Sequence, residues 1–399
     1  MVDSASTRAD RWHIVTAGAV TSLVGFASAA MVVIAGLRAV GATPAQAASG
    51  LAALCVVQGV CTILMSHRYR IPVLIVWSTP GVALLAGTQP VDGGWPAAVG
   101  AFVVVGLLVV LTGLWPRLGA LISAIPTSIA QAMLAGVLLE LCLAPVHGVI
   151  DNPALLVPPA LVWLALTRLA PRWAVPAAFA TAMITIGIWL SDHGGLHGAL
   201  LPSIELTAPR FSTSALLTIA LPLYIVTMAS QNVPGVAVLK SFGYDVPWRP
   251  SMLTTGVGTV AGAFAGGHTV NLAAITAALA AAPEAYPDKA QRYRVAIAAG
   301  WFFFLVALAS TAITTVVSTA PEGVAVGVAG LALIGTLAAA LTGAMAEPTE
   351  RVAAAVTFMV AASNVSAFGI GAAFWALLAG LAVHLTLSRR GTDRAPAAS

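Results

Sequence analysis

From Ile71 to Pro116 the chain carries one charged side chain, Asp92. Apolar runs like this, about 20 residues each and separated by single charges, recur from end to end. A helix that is apolar all round has no face for water, so such runs require lipid as their solvent. Only 8% of the 399 residues are charged and 59% are hydrophobic, against about 25% charged in a soluble domain. The chain therefore reads as an all-α polytopic membrane protein. Arg8, Asp10, Arg11 and His13 precede a first apolar run too long for a signal h-region, so no cleavable leader is expected. Cys55, Cys61 and Cys142 lie in apolar runs and read as small buried hydrophobes. The net charge of +4 comes from scattered single residues, which excludes a nucleic-acid stripe.

Spans are predicted near 14–37, 45–66, 71–88, 95–114, 118–144, 154–170, 174–190, 214–239, 250–265, 268–282, 292–316, 323–346, 351–366 and 368–387, fourteen in all. Charge placement supports that division. With the N-terminus in the cytoplasm, every Lys and Arg except Arg38 and Arg210 falls in a cytoplasmic segment. Both termini are then cytoplasmic.

LRAVG at 37–41 returns as LKSFG at 239–243, and a proline follows each (Pro44, Pro247). Seven spans per half is an odd number, so the second half must be inverted, a transporter signature. In span 3, Val73 to Trp77 has strand character, and Ser78-Thr79-Pro80 supplies an N-cap and a helix-starting proline. A short strand leading into a half-helix is expected there. In span 10, GGHTVNLAAITAA (266–278) predicts the same device, with His268 and Thr269 opening a helix that runs through Leu279. Two such helices would aim their N–H ends at one point in mid-membrane and form an anion site without lysine or arginine.

MASQNVPGVAVLKSFGY (228–244) and GGHTVNLAAITAA (266–278) resemble signature segments of the BenE-type benzoate/proton symporters, whose fold is like that of the uracil permeases and anion exchangers. The resemblance extends over nearly the whole chain. It implies a core domain of 14–115 with 214–316 and a gate domain of 118–190 with 323–387. It also implies a substrate held between spans 1, 3, 8 and 10, and proton-driven import of an aromatic carboxylate such as benzoate across a bacterial inner membrane. An exchanger or channel-like facilitator for small organic anions on the same fold is the alternative. The uracil permeases place acidic residues in spans 8 and 10. Here Gln231, Asn232, His268 and Asn271 stand at those places, which suits a ligand that is itself an anion.

The candidate substrate residues are Gln231, Asn232, His268, Thr269, Asn271, Ser78, Thr79, Trp77 and Ser28. Gln231 and Asn232 sit beside Pro234, which frees a carbonyl near Ser230, and they read either as ligand groups or as glue between helices. Trp77 could stack on an aromatic ring or fill space. Ser28 is the counterpart of Ser230 in span 1. His268 is the first candidate for proton coupling, because an ionisable group within a span is a functional candidate by default. Glu140 is its rival, unless it lies at a wetted helix end. No metal or cofactor is expected: Asp192, His193 and His197 lack a fourth ligand, and there is no Walker loop. No cluster of ionisable groups suggests an enzyme. Protons, lipid and the carboxylate are the expected partners, and the surface is compatible with a homodimer.

Overall fold

The computed structural model describes residues 3–392 apart from Pro116, 120–123, His197, Ile275 and Glu322. It is helical nearly throughout. The first half comprises α1 (Asp3–Ala27), α2 (Ala30–Ala39), α3 (Pro44–Tyr69), β1 (Ile75–Trp77), α4 (Thr79–Ala86), α5 (Gly94–Leu114), α6 (Thr127–Asp151), α7 (Pro153–Leu169) and α8 (Pro171–Asp192). The second comprises α9 (Thr213–Ser241), α10 (Trp248–Ala263), β2 (Val270–Leu272), α11 (Ala278–Ala281), α12 (Tyr293–Thr319), α13 (Val324–Ala344), α14 (Arg351–Ala362) and α15 (Ala372–Thr392). The order helix, helix, strand, short helix, helix thus occurs twice. Eight helical stretches among the described residues are long and apolar enough to cross a membrane, and Pro153–Leu169 and Ala372–Leu387 are shorter apolar helices.

The halves meet where their strands do. β1 and β2 pair antiparallel, with Ile75 opposite Leu272, Val76 opposite Asn271 and Trp77 opposite Val270. Antiparallel pairing of equivalent strands is the geometry an inverted repeat requires. Around this pair α3 packs on α12, α5 on α10, and α4 on α2, while α6 packs on α13 and α14, and α7 on α8.

Tight glycine contacts hold α3 to the turn before β2. Gly266 takes the left-handed φ of +89° that only glycine adopts freely. Its carbonyl oxygen lies 2.5 Å from where a Cβ on Gly50 would stand. Backbone cannot yield as a side-chain tip can. Gly50→Val is therefore expected to cost more than about 3 kcal/mol, and to reduce monodisperse protein on size exclusion to under about a tenth of wild type. Gly25→Ala, where an added methyl meets open space, is expected to leave that yield unchanged.

Three expectations need correction. The segment from Thr269 to Leu279 is not a helix: Val270-Asn271-Leu272 is extended because it pairs with β1, and α11 spans only Ala278–Ala281. His268 and Thr269 therefore precede a strand and cap no helix. Span 1 is broken at Ser28-Ala29 between α1 and α2. Span 8 is not a simple proline kink: Leu216–Ala220 and Met228–Asn232 are π turns, and Pro234 follows the second. In span 3, β1 and α4 match the expected strand and half-helix.

Candidate functional site

A two-stranded sheet has two open edges, and in lipid an unpaired edge costs several kcal/mol per group. Two threonines close them in mirror fashion. Thr62 of α3 accepts from the Ile75 N–H at 2.9 Å and donates to the Ile75 carbonyl at 3.0 Å. Thr259 of α10 accepts from the Val270 N–H at 3.1 Å and donates to the Val270 carbonyl at 3.4 Å. The Trp77 N–H donates to Gln58 Oε1 at 3.2 Å.

Ser78 ends β1 and starts α4. Its N–H extends the ladder to the Thr269 carbonyl at 3.1 Å. Its hydroxyl caps the helix by accepting from the Gly81 N–H at 3.1 Å, and receives Thr227 Oγ1 of α9 at 3.1 Å. Pro80 has no N–H, and that of Val82 reaches the Ser78 carbonyl. The Thr79 N–H is left as the donor at this helix start. The anion site thus has fewer bare amides than two opposed helix ends would supply, and side chains must provide donors.

Those side chains come from α9 and β2. The π turn at Met228–Asn232 shifts the helix by one residue, a device common at functional sites. It carries Gln231 and Asn232, both buried. Asn232 Oδ1 accepts from the Leu272 N–H at 2.9 Å, and its Nδ2 faces Met228 Sδ at 3.2 Å. Gln231 Oε1 accepts from the Ala274 N–H at 3.3 Å. The two amides therefore continue, beyond Thr259, the closure of the β2 edge that faces away from β1, and both spare their NH2 groups from backbone duty.

His268, Thr269 and Asn271 are wholly buried. Asn271 Nδ2 donates to the Leu272 carbonyl at 2.8 Å. The His268 ring stands edge-on to Phe102 of α5, 6.5 Å between centroids. Buried polar atoms normally have partners, but both His268 ring nitrogens, Asn271 Oδ1 and Gln58 Nε2 have none in the protein. Trp77 is buried, with its ring 5.8 Å from Phe26 of α1, and Phe26 is 6.4 Å from Phe179 of α8. This aromatic group runs from β1 through α1 to α8, all within the first half of the chain. Ser28, at the α1–α2 break, turns its hydroxyl back on the Val24 carbonyl.

Glu140 lies elsewhere. It is exposed on α6, and its Oε2 accepts from Asn364 Nδ2 at 3.0 Å. A cavity lined by Thr88, Gln89, Val137, Thr218, Asn364 and Ser366 adjoins this pair, at the end of α4 away from Ser78. The contacts of Gln58, Thr62, Thr227 and Thr259 emerge only from the structure. Gln58 had a usable signal, a lone amide within an apolar span; the threonines had none.

The described fold is that of known transporters. The transmembrane domain of a cyanobacterial bicarbonate transporter, BicA, matches 95% of this chain over 97% of its own length, with a TM-score of 0.59 at 14% identity. The murine anion transporter Slc26a9 in its inward-facing state matches 96% of this chain over 68% of its own, with a TM-score of 0.60 at 12% identity. Fold and site together define a multi-pass membrane transport protein and not an enzyme. More particularly, the chain belongs to the benzoate membrane transport protein (BenE) family, which matches residues 10–386. The inner membrane protein YdcO of Escherichia coli (strain K12) is 39% identical over 374 residues, 93% of this chain and 95% of that one. The benzoate membrane transport protein of Acinetobacter baylyi (strain ATCC 33305 / BD413 / ADP1) is 30% identical over 330 residues, 82% of each.

Proposed function

We propose that the protein imports an aromatic carboxylate, benzoate, together with protons across a bacterial inner membrane, its termini lying in the cytoplasm. One observation carries this reading. Buried polar atoms without partners, on His268, Asn271 and Gln58, gather about the strand crossing with no carboxylate among them. Such a set lacks a negative charge and gains one from the substrate. Trp77 and Phe26 offer faces for an aromatic ring, and the benzoate name of the Acinetobacter relative fits that shape. A bare carboxylate buried in low dielectric costs several kcal/mol. A proton taken up on His268 offsets that cost and couples the two species.

Transport then proceeds by alternating access. The core of 14–115 with 214–316 shifts against the gate of 118–190 with 323–387, a division supported by the packing of α3 on α12 and of α6 on α13 and α14. The test is radiolabelled benzoate flux into proteoliposomes. An inward proton gradient should concentrate benzoate above the external level. Equilibration without accumulation would instead indicate the facilitator, and uptake only against internal anion the exchanger.

Glu140, exposed and held by Asn364, has no part in coupling on this reading. Glu140→Gln is expected to retain gradient-driven accumulation within about twofold, measured in the same vesicles. Loss of accumulation would transfer the proton to α6.

A further inference from the structure

We propose that Arg70 and Arg294 form a phosphate-binding site for a phospholipid headgroup at the edge of the membrane. Arg70 terminates α3 in a left-handed conformation, φ 56° and ψ 33°. Glycine normally fills that position, and another residue there is strained. Its guanidinium stands over the Tyr293 ring at the start of α12, 4.9 Å from the centroid, with Nη1 on the tyrosine hydroxyl. Arg294 reaches the same hydroxyl through Nε at 3.4 Å, with its guanidinium 5.9 Å from that ring. Two cations thus share one neutral oxygen.

Among the described residues no Asp or Glu forms an ion pair with Arg68, Arg70 or Arg294, and the ion pair found among them is His384 with Glu350. Two like charges drawn to one hydroxyl repel each other. An oxyanion placed between them reverses the sign of that interaction, and phosphate suits guanidinium donors. Arg68, Arg70 and Arg294 are all exposed. The position selects the source. Tyr69 ends the span Pro44–Tyr69, and Tyr293 lies near the start of the span Lys289–Thr319. Tyrosines at such places sit at headgroup level. The face is the one that the charge distribution assigns to the cytoplasm, where basic side chains attract anionic lipid. The site lies outside the strand crossing and does not depend on the substrate assignment.

The test uses the full-length protein in neutral detergent, followed by thermal unfolding with added short-chain phosphatidylglycerol, phosphatidylcholine or inorganic phosphate. Phosphatidylglycerol should raise the wild-type Tm by several degrees, and phosphatidylcholine should raise it by less than half as much. The double variant Arg70→Gln/Arg294→Gln should lose most of the phosphatidylglycerol shift. Arg249→Gln, an exposed arginine elsewhere, should keep it and so controls for loss of charge alone. If the double variant is poorly folded, Arg294→Gln alone, on a residue in ordinary helix, should still halve the shift. An undiminished shift in folded variants overturns the site. An equal wild-type shift with inorganic phosphate overturns the lipid as its occupant.

Discussion

Asn232→Leu is expected to reduce benzoate uptake by about two orders of magnitude while the protein still inserts in the membrane. Asn232 Oδ1 is the acceptor for the Leu272 N–H, and both groups are buried. Leucine fills similar space but accepts nothing. A buried N–H left without a partner costs about 1–3 kcal/mol, a factor of roughly 5–150. That cost falls on β2, which would shift away from β1 to find a partner, moving Asn271 and His268 with it. Asn232→Asp separates the acceptor from the amide. It keeps an oxygen for Leu272 but places a carboxylate beside the proposed anion site. While ionised, that carboxylate repels the substrate and uptake is low; as pH falls it is neutralised and uptake should partly recover. Equal uptake by wild type and Asn232→Leu in vesicles of matched protein content would remove Asn232 from the account.

The second large effect is the loss of pH dependence in His268→Gln. One proton bound with each benzoate tightens apparent affinity by up to tenfold for each unit of falling pH, about 1.4 kcal/mol of coupling per unit. Glutamine retains hydrogen-bonding groups but takes no proton in this range. The variant should therefore still bind benzoate, with an affinity that varies less than about twofold between pH 8 and pH 6. The readout is the slope of log affinity against pH in the purified protein. A variant with the wild-type slope would place the proton on another group.

The first half of the strand crossing was legible because its local signals agree. Val73 to Trp77 favours extended chain, and Ser78-Thr79-Pro80 both stops it and starts a helix. The second half was not. Alanine and leucine after Asn271 favour helix, but β2 takes its conformation from pairing with β1, a tertiary effect invisible in a local window. The same limit hid the break at Ser28-Ala29, which has no proline or glycine at its centre, and the π turns of α9. The polar residues themselves were legible, since Gln231, Asn232, His268 and Asn271 interrupt apolar runs. What they bond to was not. Thr62 and Thr259 read as ordinary span residues, and only the pairing of the strands gives them edges to close. The expected pair of bare helix ends also fails locally: Ser78 and Pro80 start a helix, yet the same two residues remove the amides that a helix start would offer.

On the proposed mechanism a carboxylate and a proton bind together among uncharged buried groups. Titration of purified protein with benzoate and with benzamide between pH 8 and pH 6 tests it most directly, because benzoate stays ionised over that range and benzamide matches its shape without the charge. Benzoate should bind more tightly as pH falls, by up to tenfold per unit, and benzamide should compete weakly at every pH. Benzamide binding as tightly as benzoate, or a benzoate affinity independent of pH, would contradict it.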